Sequence, residues 1–337
     1  MADLSIAILG LGRLGSSVGL ALKRYQADGG QHNFAITGYD NRPKYDKIAT
    51  EQGAVDRIER RISNAVAGTD IVVMTLPYEE VKDSFRAIAH QLRDGVVVLD
   101  MSTLKMPSLD WSKQFLSDEH HLVGMTPILN PAYLYHSGDQ PDQAAADLFD
   151  EGAVLLSPAP NCAKDAVDLA FNFVQILGSK ARFYDPDEHD TLIAFTEQLP
   201  AILGTALFYT LMKRQGWGDM QQLTNPNFGV LTRILFDQHP DGLRDEWLGN
   251  REILVHALDT MIQTMSEFRG ALADNDLDAI EAAVVDASGE YERWLNRRHK
   301  GDWDGKPNQS ESNFSLMGGL LGEGLAKRLR GSKNDSS

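Results

Sequence analysis

The sequence predicts an α/β fold: a parallel sheet covered by helices in the first half, then an all-α second half. Two observations carry this. From Leu4 to about Tyr184, short β-branched or apolar runs alternate with amphipathic stretches, the pattern that builds a parallel sheet between helical layers. After Asp185 the strand signals vanish and apolar residues recur at helical spacing.

In chain order, the strand-like runs are Ser5–Leu9, Ala35–Tyr39, Ile71–Thr75, Val96–Asp100, Leu122–Met125, Val154–Ser157 and Ala181–Tyr184. They lack polar alternation because a parallel sheet is buried on both faces. Between them, Leu14–Arg24, Pro43–Gln52, Val81–Leu92 and Ala163–Leu177 carry helix-like spacing. In the second half the helical pattern covers Leu192–Met212, Gly229–Phe236, Ile253–Leu272 and Leu277–Trp294. The expected division is a sheet domain over 1–185, a helical domain over 186–300 and a loosely attached tail over 301–337, where Gly, Ser, Asn and charge dominate around one apolar patch at Phe314–Leu321.

A chain of 337 residues that is 42% hydrophobic can fill two packed domains. Its net charge of −16 argues against a grip on nucleic acid or an anionic membrane, since both need clustered positive charge. Cys162 is the only cysteine, so no intramolecular disulfide can form, and a metal site would have to use His, Asp or Glu. No metal site is expected. The segment Met1–Leu9 has no basic region followed by a long apolar run, which predicts neither an export signal nor a membrane helix and suits the cytoplasm.

Gly10-Leu11-Gly12-Arg13-Leu14-Gly15 follows the first strand and opens a helix. The first glycine permits the tight turn, the second lets the backbone approach a pyrophosphate, and the third lets helix and strand pack closely. Phosphates then sit on free N–H groups at the helix N-terminus. This is a Rossmann-type dinucleotide site, with Gly10, Gly12, Arg13, Leu14 and Gly15 at the cofactor. Asp40 ends the second strand, where a carboxylate accepts hydrogen bonds from the ribose hydroxyls and repels a 2′-phosphate, which favours NAD. Arg42 is placed to pair with that phosphate, so NADP stays open. Leu76 and Pro77, at the carboxyl edge of the third long strand, are expected along the dinucleotide.

Further stretches resemble the prephenate/arogenate dehydrogenase family. Gly38-Tyr39-Asp40 with Pro43 is similar to its Gly-Tyr-Asp-x-x-Pro turn, and Asp100-Met101-Ser102-Thr103-Leu104-Lys105 to its Asp-x-x-Ser-x-Lys segment. His189-Asp190 and Glu197-Gln198-Leu199-Pro200 stand where members read His-Asp and Ser-His-Leu-Pro-His. Thr232-Arg233, and Leu243-Arg244-Asp245 with Asn250, look like its Thr-Arg and Trp-Arg-Asp elements. The resemblance implies an active site between a cofactor domain and a helical domain, an intertwined homodimer, and oxidation of a cyclic carboxylate. It puts Ser102 at the cofactor, the Thr103 hydroxyl between nicotinamide and substrate, Gln198 at the substrate, and Arg233 on the substrate carboxylate. A planar guanidinium suits that last role; a surface salt bridge is the other reading of Arg233. The apolar faces of the long helices are an independent reason to expect a dimer.

One departure stands out. The family's catalytic histidine lies in a Gly-His-Pro stretch, and the matching residues here are Gly124-Met125-Thr126-Pro127, so Thr126 occupies the base's place. His189 is the substitute base on paper. Asp190 is not expected to orient it, because helix neighbours do not share a face. His120 and His121 read as solvent-exposed loop residues, and His136 lies in a stretch, 130–147, that can fold over the cleft. Three functions remain: a dehydrogenase of prephenate, arogenate or a related cyclic carboxylate; a same-fold oxidoreductase of another carboxylate-bearing alcohol, ketone or imine; and a catalytically silent dinucleotide-binding regulator. The absence of lysine between Asp187 and Met212 argues against β-hydroxyacid dehydrogenases.

Overall fold

The computed structural model describes residues 3–136 and 138–301. The expectation of a loose tail therefore falls, apart from Gly301, outside the described residues. The first half is β1 (Asp3–Leu9), α1 (Arg13–Ala27), β2 (Asn33–Tyr39), α2 (Pro43–Glu51), β3 (Arg57–Ile58), α3 (Ile62–Ala65), β4 (Ile71–Met74), α4 (Tyr78–Ile88), β5 (Val97–Asp100), α5 (Lys105–Phe115), β6 (His121–Ile128), β7 (Ala153–Pro158), α6 (Lys164–Ile176) and β8 (Lys180–Phe183). The strands form one sheet in the order β3-β2-β1-β4-β5-β6-β7-β8. Alternate residues feed its two faces: Ile6 and Ile8 pack into one core layer, Ala7 and Leu9 into the other.

From β1 the order steps outward to β2 on one side and β4 on the other, a topological switch point that opens a crevice at the carboxyl ends of the strands. Leu9 pairs with Tyr39 and Met74, so Gly10, Asp40 and Thr75 emerge together at that edge. The sheet departs from the all-parallel expectation at one pair, because β7 returns antiparallel beside β6. That pairing lengthens β6 beyond the expected Leu122–Met125. Pairing with β5 ends at Asp100 opposite Gly124, while β7 carries the strand on through Thr126, opposite Leu155. Thr126 thus lies within a strand rather than after one, past the end of its parallel neighbour.

The helical half is α7 (Pro186–Ile193), a π-helical turn (Ala194–Gln198), α8 (Leu199–Met212), α9 (Trp217–Met220), α10 (Pro226–Thr232), α11 (Ile234–Asp237), α12 (Pro240–Gly249), α13 (Arg251–Ala273) and α14 (Leu277–Lys300). The π turn ends two residues before Pro200, which has no N–H to give the helical ladder. Pro186–Met212 is one continuous run of 27 residues, long and apolar enough to cross a bilayer by length and composition only. A third of its most apolar window (33%) is buried within the chain. Large apolar side chains on this half stay exposed, Phe236 at 83% and Val230 at 75% among them.

Two compact units arise from backbone proximity, 1–265 and 266–337. In its described part the second is the end of α13, a turn with Asn275 at positive φ, and α14, whose N-terminus Asp276 caps by accepting the Ala279 N–H.

Candidate active site

The glycine loop fits a dinucleotide. Gly10 has φ +95, and a side chain on it would strike the Thr75 carbonyl. A Cβ on Gly15 would overlap the Gly10 carbonyl and lie 2.5 Å from Thr75 Oγ1, so the helix start packs hard against β4. Gly12 differs: the space its missing side chain leaves is filled by a carboxylate, that of Asp139, whose carboxyl carbon would lie 2.6 Å from a Cβ. The Arg13 N–H donates to the Asp139 carbonyl at 3.1 Å, and the Arg13 and Leu14 N–H groups also face its carboxylate. The Asp139 side chain occupies the place a pyrophosphate needs, on backbone N–H groups that an anion can use. Packed protein around the carboxyl raises its pKa to about 6, with Asp40 adding to the rise and Arg42 and the loop amides opposing it. The stretch around His136 thus does lie over the loop: the His136 carbonyl accepts from Arg13 Nη1 at 2.5 Å, and the Arg13 guanidinium sits 5.3 Å from the Tyr133 ring centre. Arg13 and Leu14 offer the cradle their backbone.

Asp40 is 6% exposed at the end of β2. One carboxylate oxygen accepts the Leu11 N–H at 2.7 Å, and Arg42 grips both oxygens, Nε at 2.9 Å and Nη2 at 3.1 Å, while stacking 3.8 Å from the Tyr45 ring centre. The two residues that argue for NAD and for NADP are therefore paired with each other. Leu76 is buried against the glycine loop, and Pro77 caps α4 beside it.

From the end of β5 the segment Asp100–Lys105 turns into the protein, with Thr103 alone left half-buried. Ser102 is not at the crevice as expected: its hydroxyl donates to Asp100 Oδ2 at 2.7 Å and meets Ser108 Oγ at 2.9 Å inside the protein, because Asp100 is fully buried and needs donors. Lys105 is buried too, and its ammonium is spent on the carbonyls of Asp100, Ser102 and Met125. Its side chain runs under Gly124, where a Cβ would lie 2.7 Å from Lys105 Cδ. Thr103, half-buried, points its hydroxyl the other way, to Glu246 Oε1 on α12 at 2.7 Å.

Thr126 Oγ1 is 2.7 Å from His189 Nε2, and His189 Nδ1 is 2.8 Å from Asp190 Oδ1. This corrects the expectation that Asp190 does not orient His189. The Asp190 carboxylate turns toward the start of α5, where it accepts the Lys105 and Met106 N–H groups at 2.8 and 2.9 Å, and in that position the neighbouring imidazole reaches it. A carboxylate only accepts, so Nδ1 carries the proton and Nε2 receives the Thr126 hydroxyl. His189 is fully buried, and that burial pushes its pKa down, with Asp190 pulling the other way. It does not face the cleft itself. His120 is also buried, its Nδ1 accepting from the Ser117 N–H, and His121 opens β6, so neither is the exposed loop residue expected.

Gln198 is 2% exposed with both ends of its amide in use: Nε2 donates to the Glu246 carbonyl at 3.0 Å and Oε1 accepts from Asn250 at 2.8 Å. Its amide is spent inside the protein and offers no free polar group to a substrate. Asn250 also donates to the Asp190 carbonyl at 2.8 Å, tying the histidine side to the Glu246 side. Arg233, at the junction of α10 and α11, pairs with Asp237 at 3.1 Å, and its Nη2 would lie 3.8 Å from a Cβ on Gly138. The surface salt bridge of the second reading is thus present, at a position beside the loop that covers the glycines. Sequence reasoning missed Asp139 and Glu246, both ordinary acidic residues among 48.

Comparison with known proteins gives two family matches: residues 18–184 to the model described as prephenate dehydrogenase, nucleotide-binding domain, and 185–284 to prephenate dehydrogenase, dimerization domain. The chain is similar to a cyclohexadienyl dehydrogenase of Zymomonas mobilis, 24% identical over 81% of this chain and 90% of the relative. To a prephenate dehydrogenase of Bacillus subtilis it is 25% identical over 88% of this chain and 77% of the relative. Its fold is similar to that of a crystal structure of prephenate dehydrogenase from Aquifex aeolicus in complex with hydroxyphenyl propionate and NAD+, with a TM-score of 0.72, 20% identity, and coverage of 86% of this chain and 98% of the other.

Proposed function

This chain belongs to the prephenate dehydrogenase family, and from that premise we propose that its crevice binds NAD and its cleft oxidises a hydroxyl-bearing cyclic carboxylate, prephenate or arogenate. One observation carries the reading. Thr103 presents its hydroxyl beyond the end of β5 and Thr126 from the part of β6 that runs on past its parallel partner; Thr103 is backed by the Glu246 carboxyl and Thr126 by the His189 imidazole. Oxidising an alcohol needs this pairing of a dinucleotide site with polar groups that handle the hydroxyl proton.

Bound NAD supplies the hydride acceptor. The chain supplies the rest: the loop amides at Arg13 and Leu14 take the pyrophosphate once Asp139 leaves, Asp40 takes the ribose hydroxyls, and Lys105 holds the turn that carries Thr103. Asp40 favours NAD over NADP. Arg233 takes the substrate carboxylate from the mouth of the cleft.

The match boundary at 184/185 supports a cofactor domain over 1–185 and a helical domain over 186–300. The exposed apolar side chains of the helical half, and the name of the model it matches, support a homodimer that covers them. A soluble, cytoplasmic enzyme of tyrosine biosynthesis follows from the same reading.

Calorimetry with NAD and NADP, followed by steady-state assay on prephenate and arogenate, tests it. Binding of NAD with turnover of either ring is the expected result. NAD binding without turnover of either would leave a dinucleotide-binding protein of another function.

A further inference from the structure

Oxidising the ring hydroxyl releases a proton that must be held, and Thr126 is no base. Among the ionisable groups around Thr103 and Thr126, two are already committed. His189 is fully buried with both ring nitrogens engaged inside the protein, and burial disfavours its charged form. Lys105 is buried with its ammonium on three backbone carbonyls.

Glu246 is different. It is 8% exposed, and its side chain has one hydrogen-bond partner among the described residues, the Thr103 hydroxyl at 2.7 Å. Its own backbone carbonyl is pinned by Gln198, and Gln198 by Asn250, so a network holds the stretch of α12 from which the carboxylate projects. The ionisable groups facing it are Tyr78 and Glu79 from α4 and Glu197 from the π turn; the two glutamates repel its charge. Burial, with those two charges, raises its pKa to about 7, while the Thr103 hydrogen bond opposes the rise. A carboxyl poised near neutrality can both take and return a proton.

We propose that Glu246 holds the substrate's hydroxyl proton during the oxidation assigned above, receiving it through the Thr103 hydroxyl. This rests on the proposed function. As the carbinol C–H bond breaks and its electron pair goes to the nicotinamide, the C–O bond becomes C=O; the hydroxyl proton moves to Thr103 Oγ1 while the Thr103 proton moves to Glu246 Oε1. When the ring carboxylate leaves as carbon dioxide, its bonding pair aromatises the ring, and the same proton returns along the same path to the ring oxygen. Two electrons leave the substrate and two reduce the dinucleotide, with no proton gained or lost overall.

The test uses Glu246→Gln, which keeps shape and hydrogen bond, with Thr103→Val and Thr103→Ser. In the wild type, kcat on prephenate or arogenate should rise with pH through one ionisation near 7. Glu246→Gln and Thr103→Val should each remove that ionisation and lower kcat by about 10²- to 10⁴-fold, with NAD affinity by calorimetry unchanged. Thr103→Ser should restore the ionisation. Independently of turnover, infrared titration should show a protonated carboxyl band that vanishes near neutral pH in the wild type and is missing from Glu246→Gln. A wild type that turns over with a pH profile unmoved by Glu246→Gln, or that lacks the titrating band, overturns the role of Glu246 alone. No wild-type turnover of either ring overturns the reaction and, with it, the acceptor assigned to it.

Discussion

Asp139 sets its carboxylate in the space that Gly12 leaves empty, on the same amides that a dinucleotide pyrophosphate would use. Binding of NAD therefore has to displace an anion that the chain itself provides. Asp139→Ala should tighten NAD binding by about 2- to 5-fold, the worth of a carboxylate at a helix N-terminus. The sign of the pH effect follows from the raised pKa of about 6: above it the carboxylate is charged and competes, and below it the neutral acid yields. Wild-type affinity should rise as pH falls through about 6 while that of Asp139→Ala stays level, as read by calorimetry.

Substitutions at the second and third glycines should separate binding from folding. The atoms nearest a Cβ at Gly12 are those of the movable Asp139 carboxylate, so Gly12→Val should fold normally and lose NAD. At Gly15 the obstacle is the Gly10 carbonyl and Thr75, so Gly15→Ala should cost about 1–3 kcal/mol in denaturant unfolding. Equal stability of the two variants would contradict the packing described for the loop.

Asp40→Ser should release the Arg42 guanidinium, now held on both carboxylate oxygens, toward a 2′-phosphate. The ratio of NAD to NADP affinity should fall at least several-fold. A wild type that already prefers NADP would show that Arg42 dominates the pair.

His189 should make the fold acid-sensitive. Its native pKa is pushed below the ordinary value while the unfolded chain titrates near 6.5, so the unfolded state binds the extra proton first. Stability from this residue is complete above about pH 6.5 and declines as pH falls below it. Urea midpoints measured downward from about pH 8 should drop less steeply in His189→Gln than in the wild type.

Asp190→Asn should destabilise by about 1–3 kcal/mol, because a neutral amide replaces the charge at the start of α5 and cannot accept as well from two amides and an imidazole. Chemical denaturation measures this directly, and an unchanged midpoint would remove the capping role.

What the sequence made legible was contiguous. The glycine loop, the strand that precedes it and the helix that follows are fixed by neighbouring residues, so Gly10, Gly12 and Gly15 stand at the β1–α1 turn, and Asp40 follows the end of β2. Thr126 was read as following its strand because the antiparallel partner that extends β6 lies about thirty residues later, beyond any local pattern. Glu246 meets Thr103 across 143 residues, and only the packing of α12 against the sheet domain brings them together. His189 and Asp190 failed a rule about helix faces because Asp190 answers to α5, a partner the rule does not contain.

Lys105, threaded beneath Gly124 and bonded to carbonyls on both sides of the gap between β5 and β6, is a cross-brace under the floor from which Thr103 and Thr126 rise. A floor stiffened from below leaves the walls free to vary. On the proposed function, side chains other than Lys105, Thr103, Thr126 and Glu246 can change to admit a different ring while the two hydroxyls keep their spacing. A scaffold of this kind can trade one substrate for another without rebuilding the place where the proton is handled.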